Sequence, residues 1–162
     1  MGHSMANNID YSTEPSAYLR YDERISAQWR DFLILVARVS IGLIFVMGGW
    51  SKVTGVESFT ASLGRRGVPA ATLLGYMGAL SEFLGGVAII FGFATRYAAL
   101  LILLFTIIAT LISHRFWEFN DPAAYRQQHT QFFKNLTTMG GTILLFVTGG
   151  GRLSIDRFLW RR

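Results

Sequence analysis

Leu100–Ile112 reads LLILLFTIIATLI. A soluble helix of this length carries a polar stripe recurring every 3.6 residues. Here Thr106 and Thr110 alone break an otherwise apolar surface. Extended to its uncharged limits, the stretch is Tyr97–Ser113, 17 residues without a charge. A helix needs about 20 apolar residues, within roughly 17–25, to cross the hydrocarbon core. Three more windows behave in the same way: Phe32–Trp50 with Arg38 as its one charge, Ala70–Phe93 with Glu82 as its one charge, and Asn135–Gly151 with none. A soluble all-helical protein with very apolar helices is the alternative. It is disfavoured because these windows fill almost half the chain. The pattern predicts an all-α integral membrane four-helix bundle with spans near 32–51, 70–93, 97–115 and 134–150.

Outside these windows the chain divides into a polar N-terminal segment, residues 1–30, and the bundle, residues 31–162. Residues 1–30 lack the apolar run of a signal peptide; a short interfacial helix is expected over Tyr21–Asp31. Leu153–Trp160 is expected to form a second short interfacial helix. Hydrophobic residues make up 51% and charged residues 15% of the chain, which excludes disorder. The absence of cysteine excludes a disulfide framework, thiolate-held clusters and thiol exchange by the chain itself.

The net charge of +5 is split among loops instead of forming one patch, so it marks membrane flanks and no nucleic acid partner is expected. With four spans both termini share a side. That side holds eight basic residues (Arg20, Arg24, Arg30, Arg96, Arg152, Arg157, Arg161, Arg162) against six on the other (Lys52, Arg65, Arg66, Arg115, Arg126, Lys134). The bias places both termini in the cytoplasm. Trp29 and Trp160, and Trp50 and Trp117, fall at the predicted span edges as an aromatic belt.

A charge in the bilayer costs at least about 2.5–3.5 kcal/mol, so it turns inward and finds a partner. Arg38 and Glu82, one in each of two antiparallel spans, are therefore expected to pair, either as a register-fixing clasp or as part of a polar site. Arg38, Gly42, Phe45, Gly49 and Lys52 share one helix face, as do Gly75, Gly78, Glu82, Gly85 and Ile89. The small residues allow close helix approach. At the opposite end, Lys52, His114 and Asn135 fall at similar depth on three spans and are the candidate ligand-binding residues. Above them lies the long Arg115–Phe133 connection, expected to serve as a lid through Trp117. His114 and Glu118 alone are too few to bind metal, and no metal site is expected. Thr95-Arg96 makes so short a connection that spans two and three must be adjacent.

From Arg38 onward the chain resembles the DoxX family of small four-span bacterial membrane proteins. The resemblance rests on Arg38-Val-Ser-Ile-Gly-Leu-Ile-Phe, Gly48-Gly49-Trp50-Ser51-Lys52, Glu82-Phe-Leu-Gly85-Gly86, Gly92-Phe-Ala-Thr95-Arg96, His114-Arg-Phe-Trp117, Lys134-Asn135-Leu and Ser154-Ile-Asp156. The family is named for similarity to the membrane subunit of a thiosulfate:quinone oxidoreductase. The resemblance thus implies a redox-associated subunit touching quinone, together with a soluble redox partner or a second copy of the chain. The competing reading is a non-enzymatic membrane protein: a small-solute binder or carrier, or a scaffold for a soluble enzyme.

Overall fold

In a computed structural model of the chain, residues 27–159 are described. They form α1 (Ala27–Thr54), α2 (Val56–Arg65), α3 (Ala71–Phe91), α4 (Thr95–Ser113), a 3-10 turn (Phe116–Glu118), α5 (Pro122–Thr148) and α6 (Ile155–Leu159). No strand occurs among the described residues. Gln28–Thr54, Ala71–Phe91 and Thr95–Glu118 are long and apolar enough to cross a membrane. The fourth long helix, α5, completes the bundle; its N-terminal half carries Arg126, His129, Lys134 and Asn135. The fold is an integral membrane four-helix bundle. Most of the expected Tyr21–Asp31 helix lies outside the described residues, and residues 27–31 belong to the start of α1. Trp160 also lies outside them.

α1 and α3 meet along a seam of glycines. A Cβ at Gly49 would lie 2.5 Å from the Phe83 backbone nitrogen, and one at Gly86 would lie 2.8 Å from that of Val46. With hydrocarbon on both sides of the transfer, packing and hydrogen bonding rather than water expulsion hold such helices together, and close backbone approach maximises both. Gly85, expected on the same face as Glu82, instead turns to α4, where a Cβ would meet Ile102 at 2.8 Å. The buried core around Phe45, Ile89, Ala99, Ile102 and Leu145 is small. Leucines and phenylalanines exposed around the rim, such as Leu104 and Leu144, are those a bilayer would cover.

Two connections are largely helical. The Ser51–Pro69 segment contains α2, which folds back against α3, with Thr60 and Leu63 lying over Gly75. Most of Arg115–Phe133 is also helical. Asp121 caps α5 by accepting from Ala124 N–H at 2.8 Å, and Pro122 takes the first helical position. An Asp-Pro pair is a helix start: the carboxylate satisfies an orphan donor, and proline has no N–H to leave unpaired.

At one end of the bundle the last residues are stitched to everything else. Asp156 accepts the N–H groups of Ala94 and Thr95 at 2.6 and 2.8 Å and the Thr95 hydroxyl at 2.6 Å. It thus caps α4 from 61 residues away in sequence. Its own N–H donates to the Gly92 carbonyl at 2.9 Å. Asp31 accepts the Arg152 N–H at 3.0 Å, so both ends of the described chain meet at this end. Gly92, at φ +67°, closes α3 in the left-handed region, and a Cβ there would run into the Arg38 guanidinium.

Candidate functional site

The expected Arg38–Glu82 pair does not form. Arg38, 1% exposed, donates through Nη1 to the Gly150 carbonyl at 2.9 Å and through Nη2 to the Leu153 carbonyl at 2.6 Å. Its partners are backbone oxygens of the C-terminal segment. Glu82, 6% exposed, pairs with Lys52, Nζ to Oε2 at 2.6 Å. Register explains the difference. The far end of α3 lies level with Arg38, while Glu82 Oε1 lies over Gly48, where a Cβ would approach to 2.6 Å. Gly48 is about 15 Å along α1 from Arg38 at 1.5 Å per residue, beyond the reach of the side chain. Counting from span midpoints treats the two helices as centred on each other, whereas α1 begins well before α3 ends.

The Lys52 end of the bundle encloses a cavity of about 520 Å³. Lys52, Glu82, His114 and Asn135 all line it, together with Lys134 and Ser81. Phe45, Phe59, Leu63, Met77, Leu104 and Phe105 supply much of its apolar wall. Each polar group has a distinct anchor. Lys52 sits between Glu82 and the Phe59 ring, 5.7 Å from its centroid. Its contact with Glu82 is ionic and poorly angled, so Oε2 is buried without a well-formed hydrogen bond. Asn135 donates to the Thr110 hydroxyl at 2.8 Å; Thr110 donates to the Thr106 carbonyl, and Thr106 in turn donates to that of Ile102. These two threonines, the only breaks in the apolar stretch that decides the fold, hold Asn135 in place from α4.

His114 Nδ1 lies 2.9 Å from Gln128 Oε1. An amide oxygen only accepts, so Nδ1 donates in this contact, and Nε2 is the ring nitrogen it does not use. Arg66 reaches the free carbonyls of Ile112 and Ser113 at 3.4 and 3.3 Å, closing the end of α4 beside His114.

Trp117 does not belong to this wall. It is 55% exposed and stands edge-on to Phe116 and Phe132. The cover over the cavity comes from α2, through Phe59 and Leu63. Sequence reasoning misses this helix because the Gly64-Arg65-Arg66-Gly67-Val68-Pro69 run reads as a turn into the next span and draws attention from the residues before it. The Glu57, Ser58 and Thr60 side chains between its apolar positions are the signal that points to an amphipathic helix. Glu118 pairs with Arg115 at 3.0 Å and not with His114. Among the described residues no three metal-ligating side chains converge.

The family model described as DoxX matches residues 33–115. The chain belongs to the DoxX family. It is 39% identical over 129 residues to "Inner membrane protein YqjF" of Escherichia coli (strain K12), covering 80% of this chain and 93% of that protein. It is 30% identical over 128 residues to "Inner membrane protein YphA" of the same organism, covering 79% and 91%. It is 38% identical over 127 residues to "Putative oxidoreductase CatD" of Bacillus subtilis (strain 168), covering 78% and 87%. No solved structure matches the chain. The matched DoxX segment includes Lys52, Glu82 and His114 but ends before Asn135.

Proposed function

We propose that this DoxX protein is an inner-membrane binding subunit for a lipid-soluble carbonyl compound of the quinone class and serves a soluble redox partner. The observation that carries the reading is the ion pair between half-buried Lys52 and buried Glu82 on the wall of an otherwise mainly apolar cavity of about 520 Å³. A charge pair there costs desolvation energy that packing alone would not require. Small-molecule sites have this composition: apolar walls with a few placed polar groups.

The donor set suits such a head group. The Lys52 ammonium donates to a carbonyl oxygen. Glu82 and His114 Nε2 accept from the hydroxyls of the reduced form. Bound quinone would supply the electron-accepting chemistry; the residues here hold its oxygens and take or return protons. The chain has no cysteine, so electrons come from the partner protein. The names of two relatives as inner membrane proteins support the location. The meeting of both described ends at one end of the bundle supports a shared side for the termini, which the basic-residue bias assigns to the cytoplasm.

The test is a titration of purified protein in lipid nanodiscs with a decyl-substituted benzoquinone. His114→Gln should weaken binding at least tenfold with little change in thermal stability. The charge-free double variant Lys52→Gln/Glu82→Gln should abolish it. If wild type does not bind, or if these variants bind as wild type does, the quinone reading falls and the non-enzymatic reading, solute binder or scaffold, replaces it.

A further inference from the structure

A second cavity, of about 490 Å³, lies along the same two helices as the first, between the Lys52 site and the α3–α4 hairpin. Its lining is almost wholly carbon and includes Gly85, Ala88, Phe93, Ala98 and Ile155. Leu101 lines both cavities.

The two share helix faces. On α3, Leu74, Gly78 and Ser81 line the first cavity, and Gly85 and Ala88 line the second. These positions advance in steps of four, three, four and three, the repeat of a single face. On α4, Ala98 lines the second cavity, Leu101 both, and Phe105, Ile108 and Ile112 the first; the steps of three and four again mark one face. The two cavities therefore adjoin along the α3–α4 seam. It is polar at the Glu82 end and apolar at the hairpin end, and it extends about 14 Å along α3 from Glu82 to Phe91 at 1.5 Å per residue. Its apolar rim, with Leu84, Phe91 and Phe93 exposed, faces outward from the bundle.

We infer that this seam holds the hydrocarbon tail of the ligand whose head sits at Lys52–Glu82, so that the site recognises a single-chain lipid with a compact polar head, entering sideways from the bilayer. The inference rests on the head-group reading above and adds the tail, its path and the route of entry. Adjacency of the two cavities at Leu101 argues for one occupant over two. A tail moving from lipid into such a groove gains little free energy, because both surroundings are hydrocarbon. The tail should thus be detected by where it lies more than by tighter binding.

The experiment uses the full chain in nanodiscs with a benzoquinone bearing a ten-carbon chain that ends in a photoreactive diazirine. Irradiation and peptide mapping should place adducts within residues 91–101, and excess chain-free benzoquinone should reduce them at least fivefold. Leu84→Trp, at an exposed position that lines only the second cavity, and separately Val87→Trp, should each reduce these adducts at least fivefold while chain-free head binding is retained. A fatty acid with the same photoreactive end forms the second arm. If it labels the groove and the quinone does not, the tail path stands and the quinone head-group reading fails. If adducts from both probes spread over the exposed faces of α1, α4 and α5, unchanged by either tryptophan, the tail groove is overturned even where head binding persists.

Discussion

The two ends of the bundle each enclose a basic side chain of α1, fourteen residues apart, and use it differently. At the hairpin end Arg38 meets the carbonyls of Gly150 and Leu153, and Asp156 caps the start of α4. At the other end Lys52 meets one carboxylate, and the space beside the pair stays open. At the hairpin end the two terminal nitrogens of the guanidinium are taken up by backbone carbonyls, which makes a fastening, although Nε is left without a partner. At the other end a side-chain pair borders a mainly apolar cavity, the arrangement that the proposed binding role requires. Burial alone does not distinguish these roles; the identity of the partner does.

This contrast can be broken most forcefully at Arg38. Arg38→Ala should destabilise the protein by about 3 kcal/mol or more, because it leaves one buried and one part-buried carbonyl without donors and a hole where the guanidinium was. Thermal unfolding in detergent checks this, and stability within about 1 kcal/mol of wild type would show that the fastening is not one. Next in size is the coupling between Lys52 and Glu82. Each alanine substitution strands a partner, so the double variant should lose less than the sum by about 1–2 kcal/mol, reduced from a fully buried value because Lys52 is partly exposed. Arg38→Ala combined with Glu82→Ala should be additive within about 0.5 kcal/mol, as expected for sites more than about 10 Å apart. Coupling there would restore the direct pair that the register rules out.

Asp156→Asn should cost about 1–2 kcal/mol by weakening a charge-assisted cap, with quinone binding unchanged. The smallest effect is expected at Ala94, which holds a left-handed backbone at φ 45°. Ala94→Gly should raise stability by up to about 1 kcal/mol, the cost of that conformation for a residue with a Cβ, or leave it nearly unchanged once the added freedom of the unfolded chain is counted. A clear loss would mean that the alanine methyl group packs usefully.

The helices are legible in the sequence because an uncharged apolar window of membrane length can hardly be anything but a span, and the inward turn of Arg38 and Glu82 follows from their cost in lipid. The convergence of Lys52, His114 and Asn135 on one cavity is legible from depth alone. What depth does not supply is axial offset between helices. The distance along α1 from Arg38 to Gly48, the residue that Glu82 overlies, is enough to exchange the partner of Glu82, since hydropathy fixes where a helix lies in the bilayer only to within a turn or two. The α5 start at Asp121-Pro122 is written in the sequence and is obscured by the polar residues after it. The Asp156 cap is not legible at all: a cap supplied from 61 residues away leaves no local pattern.

Arg38 also sets a clock. Its acceptor Gly150 follows it by 112 residues, so at a synthesis rate of roughly 5–20 residues per second the guanidinium waits about 6–22 s for the carbonyl that completes it. Throughout that interval the cation in α1 lacks the two carbonyls that it meets in the folded chain. A chain that stops short of residue 150 never gains them. Residues 150–153 thus finish a helix that was translated more than a hundred residues earlier.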